Sequence, residues 1–360
     1  LTRRAIFAIV ASSREAVRSR WSVAGTMSKL IRSGKFWLGI AISIVFLWLA
    51  FRKTDPAEIV RAVRTVDPFL FILASLVPFI SHVFRAWRWR YLLLPVKPVR
   101  ILPLFSSLMI GYMANVFLPA HLGELVRAYS LSRKEKLPWP VVMASIVVDR
   151  IIDILSLLLL MAVAVFFFPF PTWVKQSGWI MLAVTLILFL LMIWMKRRRD
   201  SAGRLLDRFL RPFPVRFREG VQKQIHLFLD GLAPFAKKSH YLLVALQSIV
   251  IWIAYAALFY ILFHAFGYSE RFGLTFLAAL VLQVVTTISV VVPSSPGYVG
   301  TYHFLCQLAL GFFLVPADQA LGFAIVAHAA SFIPVLAVGI VFLFLEGISF
   351  SALNRTDAPE

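Results

Sequence analysis

The stretch NVFLPAHLGELVR, residues 115–127, decides how the rest of the chain is read. It places Asn115, Pro119, His121, Gly123, Glu124 and Arg127 between two apolar runs. Proline lacks the backbone donor that a continuing helix needs, and lipid cannot satisfy the groups it frees. The segment is therefore either a break inside a span or the tip of a helix that turns back.

The chain around it reads as an integral membrane protein. Of its 360 residues, 60% are hydrophobic and 15% charged. A soluble domain of this length could not bury that much apolar side chain. The single cysteine, Cys306, rules out an intramolecular disulfide and reads as a small buried hydrophobe. A net charge of +20 would suggest nucleic acid in a soluble protein. Here topology accounts for it, and no nucleic-acid partner is expected. Neither G-x-x-x-x-G-K-[ST] nor G-x-G-x-x-G occurs, so the chain itself is not expected to be ATP-driven. No Cys or His clustering supports His121 or His328 as metal ligands. No metal, cofactor or catalytic residue is expected.

Apolar runs read as six spans, at 36–51, 68–84, 141–168, 178–195, 241–266 and 318–345, against a requirement of roughly 20 residues per crossing. Segments 1–35, 85–100, 127–136 and 196–238 together hold 29 of the 37 Lys and Arg, and the opposite side would hold six. That bias puts both termini in the cytoplasm, in a bacterial cytoplasmic (inner) membrane. Since 85–100 and 127–136 then share one side, the stretch 101–118 has to enter, turn near LPAHLGE and come back as a re-entrant hairpin. By the same count, 272–292 enters from the other face, turns at VPSSPGYVG (292–300), and 301–314 leads back.

The two tips align. NVFLPAHLGE (115–124) over SVVVPSSPGY (289–298) sets Pro119 on Pro293 and Gly123 on Gly297, an offset of 174. The expected fold is an all-α polytopic membrane protein. It has six full spans plus two oppositely oriented re-entrant helical hairpins, arranged as an inverted repeat. A single transmembrane domain would cover 35–346, with halves of about 35–168 and 178–346. A basic cytoplasmic segment, 1–34, would precede it and a cytoplasmic tail, 347–360, follow it. Residues 1–26, ahead of Met27, read as an upstream extension. In the basic loop 196–238, Phe217, Val221, Ile225, Phe228, Leu232 and Phe235 recur every three or four residues. That is an amphipathic helix, either on the anionic leaflet surface or packed against the bundle.

Ionisable groups at membrane depth are costly and usually pair or face a cavity. The candidates here are Asn115, Glu124 and Arg127 around the first tip, and Asp149, Arg150 and Asp153 in the span 141–168. At each tip a new helix presents unpaired N–H groups and a partial positive charge, a ready anion site. Pro119 and Gly123 shape the first tip, and Ser294, Ser295, Pro296, Gly297 and Gly300 the second. Arg127 and Arg150 would then bind a lipid phosphate. The alternative is that Glu124 with Arg150, or Asp149 with Arg127, are buried ion pairs that only lock the bundle. Arg85, Arg88 and Arg90 with Trp87 and Trp89 read as an interfacial anchor.

Three motifs in order resemble the flippase-like integral membrane family, the transmembrane region of lysylphosphatidylglycerol synthase and its free-standing relatives. The pattern N-x-x-L-P-x-x-x-G-E-x-x-R is matched by Asn115, Leu118, Pro119, Gly123, Glu124 and Arg127. An acidic-Arg-x-x-Asp element is matched by Asp149, Arg150 and Asp153, with Asp149 where relatives more often have Glu. Pro296, Gly297 and Gly300 match a Pro-Gly-x-x-Gly element. The resemblance covers roughly residues 35–346. It implies a lipid translocase whose partners are membrane lipids with anionic or phosphate-bearing headgroups. It does not imply the synthase chemistry, whose soluble domain has no counterpart in this sequence. Two other expectations stay open: an intramembrane transferase using a lipid-linked substrate, and a scaffold for a lipid-modifying enzyme.

Overall fold

A computed structural model describes residues 34–52, 54–118, 122–198, 215–231, 238–291 and 296–346. Those residues form thirteen α-helices and one 3-10 turn, with no strand among them. The first half carries α1 (Gly34–Phe51), α2 (Pro56–Arg64), α3 (Pro68–Leu93), α4 (Ile101–Phe117), α5 (Gly123–Glu135) and α6 (Trp139–Phe167). The second carries α7 (Thr172–Arg197), α8 (Val215–Gly231), α9 (Lys238–Ala265), α10 (Tyr268–Phe272) and α11 (Phe276–Val291). The 3-10 turn Pro296–Tyr298, α12 (Thr301–Gly311) and α13 (Ala317–Leu345) complete it.

Local sequence explains where these helices begin. Asp55 and Asp67 cap α2 and α3, accepting from Ala57 N at 2.8 Å and Leu70 N at 3.0 Å. Pro56 and Pro68 follow at the first helical position, where a missing N–H costs nothing. In α2, Glu58 in the first turn and Arg61 and Arg64 in the last complement the helix dipole. Lys136, in the left-handed region at φ 52, ends α5.

Among the described residues, five helices are long and apolar enough to cross a bilayer: Pro68–Leu93, Trp139–Phe167, Thr172–Met195, Ser239–Ala265 and Ala317–Leu345. They correspond to five of the six expected spans. The sixth, 36–51, lies in α1 (Gly34–Phe51), whose stretch Ala41–Phe51 counts among the shorter apolar helices. The second span does not stop at residue 84. It continues to Leu93, so Arg85 and Arg88 belong to a helix rather than to a basic loop. Large apolar side chains cover the outside, with Phe166 87% and Trp179 71% exposed, as lipid contact demands.

Four of the shorter helices form two packed pairs. α4 and α5, of 17 and 13 residues, form an antiparallel hairpin. Its pairing is fixed by Asn115 against Gly123, Gly111 against Arg127 and Ser107 against Ser130. Gly111 and Gly123 make the close approach possible. A Cβ on Gly111 would stand 2.7 Å from the Arg127 Cβ, and one on Gly123 would land on the Gly111 carbonyl oxygen. At the far end Lys134 pairs with Glu346 beyond α13, and burial holds the Lys134 ammonium pKa below its usual value. α11 and α12, of 16 and 11 residues, make the second packed pair.

The two halves repeat each other in order, length and contacts. α6 and α13 both span 29 residues, and both of their ends differ by 178. α4 packs on α13 as α11 packs on α6, and α3 packs on α9 in the largest interface of the bundle. The amphipathic helix expected in 201–236 is α8, at Val215–Gly231, with 201–214 and 232–237 outside the described residues. Leu229, Ile225 and Phe228 pack with Ala144 and Val148 of α6 and with Met192 and Met195. Of the apolar face read from the sequence, Ile225 and Phe228 are thus packed on the bundle. α2 packs in the same way on α13, where Gly322 makes room for Ala62. One core lies within the first half, and a larger one joins the second half to Ala74, Leu157 and Ala164 of the first. Trp89, Leu131 and Val142 build one, and Phe263, Leu282, Phe323 and the buried Cys306 build the other.

Candidate functional site

Seven charged side chains from three helices meet inside the first half. Asp149 and Asp153, one turn apart on α6, face Arg85 and Arg88 of α3 and Arg127 of α5. The Arg88 Nε donates to Asp149 Oδ1 at 2.9 Å, one terminal nitrogen to Asp153 Oδ1 at 2.5 Å and the other to Ser248 Oγ at 3.0 Å. Both terminal nitrogens of Arg127 donate to Asp149 Oδ2 at 3.2 Å. The Arg127 guanidinium lies 3.8 Å from the centre of the Trp89 ring, a cation–π contact. Arg85 pairs with Asp153, and Arg150 with Glu124. Arg150 also stands 3.7 Å from Asp153, and Arg127 stands 3.6 Å from Glu124.

Desolvating an ion costs several kcal/mol, and only good geometry with a full set of hydrogen bonds repays it. Arg88, Arg127 and Asp149 are fully buried and their charged partners surround them. Arg150 differs, because its side chain is 36% exposed. Four arginines stand against three carboxylates, so the network carries one surplus positive charge.

The expected site residues divide accordingly. Asn115 Oδ1 accepts from the Gly123 N–H at 2.8 Å and so closes the first tip. Glu124, Arg150 and Asp153 reach a cavity, whereas Arg127 and Asp149 are spent on each other. Both ion pairs weighed from the sequence, Glu124 with Arg150 and Asp149 with Arg127, are present. Pro119, His121, Ser294 and Ser295 lie outside the described residues. Pro296 and Gly297 form the 3-10 turn, with Gly297 at φ 70. Gly300, at φ 93, precedes α12 against the Ser43 carbonyl.

Two expectations need correction. Arg85, Arg88 and Trp89 are not an interfacial anchor, since all three are buried and only Trp87 on that stretch is open, at 39%. Their signal was the three-residue spacing of Arg85 and Arg88, one face of a helix, set against two aspartates four apart on another. The alignment of Gly123 with Gly297 also fails in detail. α4 and α11 end 174 apart, at Phe117 and Val291, but α5 and α12 start 178 apart, at Gly123 and Thr301. Four extra residues therefore sit in the second tip. Gly123 opens a helix, whereas Gly297 turns left-handed ahead of one.

The two tips touch. A Cβ on Gly297 would lie 3.7 Å from the Val116 carbonyl oxygen of α4. The His328 Nε2–H of α13 donates to the Gly297 carbonyl at 2.8 Å, and its ring stacks on Phe332 at 4.3 Å. Beside this junction lies a cavity of about 580 Å³, within the roughly 300–1,000 Å³ of small-molecule sites. Arg85, Glu124, Arg150 and Asp153 line one end, and Leu157, Met181, Leu258 and Phe259 an apolar flank. Such a space accepts an amphiphile with a charged head. Among the described residues, no three His, Cys, Asp or Glu side chains come together in a way that could hold a metal ion.

The chain belongs to the family described as the lysylphosphatidylglycerol synthase transmembrane region, whose sequence profile matches residues 36–339. It is thus an integral membrane protein, and the resemblance read from the three motifs holds. Two relatives are UPF0104 membrane proteins of Methanothermobacter thermautotrophicus. One is 24% identical over 327 residues, covering 87% of this chain and 96% of that protein. The other is 24% identical over 333 residues, covering 86% and 92%. A third, glycosyltransferase AglD of Haloferax volcanii, is 25% identical over 150 residues. That match covers 41% of this chain and 24% of AglD. No solved structure matches.

Proposed function

We propose that this member of the lysylphosphatidylglycerol synthase transmembrane-region family is a lipid translocase. It moves a phospholipid or lipid-linked intermediate between leaflets. The headgroup is held in the cavity where the tips meet, and the acyl chains stay in the bilayer. The observation that carries this reading is the convergence of two helix breaks on one amphiphilic cavity with a charge network at its end. In this reading α1 is the sixth span and the two short helix pairs are re-entrant hairpins entering from opposite faces. Their arms, of 17, 13, 16 and 11 residues, fall short of the roughly 20 needed to cross. The basic loops keep both termini in the cytoplasm and the protein in the cytoplasmic membrane.

Arg150 is the phosphate ligand. It is the one arginine of the network with a partly open side chain, and its Glu124 partner is itself on the cavity wall. An entering phosphate takes the place of Glu124 and meets the surplus positive charge. At an effective dielectric constant near 20, a unit charge pair 4 Å apart is worth about 4 kcal/mol, enough to offset partial desolvation. Arg127, saturated by Asp149, positions α5 instead. The test is flipping of acyl-labelled phosphatidylglycerol in reconstituted vesicles. Arg150→Ala should slow the initial rate at least about tenfold, and Arg150→Lys should restore part of it. Unchanged flipping in Arg150→Ala would refute the assignment.

A second reading, an intramembrane transferase acting on a lipid-linked sugar, draws on the partial match to AglD. Product formed by the purified chain alone from a lipid-linked donor would establish it.

A further inference from the structure

The cavity has two polar walls of different chemistry, one from each half. Moving the cavity-lining charged residues by the 178-residue offset of the matching helices gives a neutral residue every time. Glu124 of α5 falls on Tyr302 of α12, and Arg150 and Asp153 of α6 fall on His328 and Ser331 of α13. Tyr302 and Ser331 line the same cavity as the charges they replace. From α11, Gln283, Thr286, Thr287 and Ser289 complete this wall, which holds no Asp, Glu, Lys or Arg.

The hydroxyl protons of Thr286, Thr287, Ser289 and Ser331 are already used within the helices. Thr286 donates to the Leu282 carbonyl, Thr287 to Gln283 and Ser331 to Ala327, each at 2.7 Å, and Ser289 to Thr286 at 2.5 Å. The Gln283 amide donates to Thr287 Oγ1 at 3.0 Å. A hydroxyl has one proton and two lone pairs. What the wall offers a ligand is therefore uncharged oxygen acceptors, together with two neutral donors, the unpartnered Tyr302 hydroxyl and the second Gln283 N–H. That mixture suits hydroxyl groups, which both donate and accept. A primary ammonium would need a carboxylate at this depth; Asp153 already holds Arg85 and Arg88, and Glu124, once the phosphate has taken Arg150, still stands 3.6 Å from Arg127. A quaternary ammonium has no proton to donate.

We infer that the substrate headgroup is a phosphate joined to an uncharged polyol, a glycerol, inositol or sugar unit, with the phosphate at Arg150 and the hydroxyls on the α11 wall. This rests on the translocase reading. The probes are acyl-labelled phosphatidylinositol, phosphatidylglycerol, phosphatidic acid and phosphatidylethanolamine in vesicles holding the full chain. Phosphatidylinositol and phosphatidylglycerol should flip about tenfold faster than phosphatidic acid or phosphatidylethanolamine, as two or three net hydrogen bonds allow. Gln283→Leu with Thr287→Val, which keeps shape and removes acceptors, should bring the inositol-to-phosphatidic-acid ratio towards one. Ser331→Ala should lower it independently. Phosphatidic acid or phosphatidylethanolamine flipping as fast as phosphatidylinositol would overturn the inference and leave the translocase standing. So would a ratio that none of these variants alters. If no probe moves faster than in protein-free vesicles, the translocase reading itself falls, and this inference with it.

Discussion

Replacing Asp149 by alanine takes a counter-ion from two buried guanidinium groups at once and strands that of Arg127. Arg127 would keep only a 3.6 Å approach to Glu124 and the face of Trp89. Arg88 would keep Asp153 and Ser248. Removing one partner of a buried ion pair costs about 3–5 kcal/mol, because the remaining charge has neither water nor a counter-ion. For a chain of this size each kcal/mol shifts the melting temperature by about 2 °C, so Asp149→Ala should melt about 6–10 °C below the parent. Tryptophan fluorescence on the detergent-solubilised protein reads this directly. The same reasoning makes a second demand. Replacing the pair by apolar side chains of similar volume, Arg127→Met with Asp149→Leu, should recover most of the loss, since no charge is then stranded. A melting point for Asp149→Ala within about 2 °C of the parent, or a double variant no more stable than the single, would refute the view that this pair locks the bundle.

The remaining expectations concern the tips. Gly123→Ala drives a methyl into the Gly111 carbonyl and the Asn115 side chain, so it should destabilise by about 1–3 kcal/mol, read from the same melting curve. His328→Phe keeps the stack on Phe332 but removes the donor to Gly297; a loss of about 1–3 kcal/mol is expected from the stranded carbonyl, with proteolysis at the second tip as the local readout. In a Cys306→Ala background, Arg133→Cys should label from the cytoplasm and Ser295→Cys from outside; labelling of both from one side would exclude opposed hairpins.

The helix break between α4 and α5 was legible in NVFLPAHLGELVR because polarity and helix breaking in an apolar chain leave few alternatives. The partners of Glu124 and Asp149 were legible as well, since few arginines lie near. Arg85 and Arg88 were misplaced for a definite reason. Counting basic residues beside an apolar run assigns them to a loop, and only the fold shows that α3 runs on to Leu93. Their acidic partners lie more than sixty residues away, on α6. The role of Arg127 was equally hidden, because saturation by Asp149 and Trp89 is a matter of distances rather than of residue type. The neutral wall on α11 escaped because a search for charges passes over Thr, Ser and Gln, and these donate back to their own helix like those of any apolar helix.

The four extra residues in the second tip set the two tips apart. Equal-length helices on either side, 29 and 29 residues, would let the halves exchange conformations and give two end states of equal energy. Unequal tips remove that degeneracy, as does a charged wall facing a neutral one. For a carrier alternating between two openings, the empty protein should then rest mainly in one of them. A gap of 1.4 kcal/mol would already leave about one molecule in ten in the other.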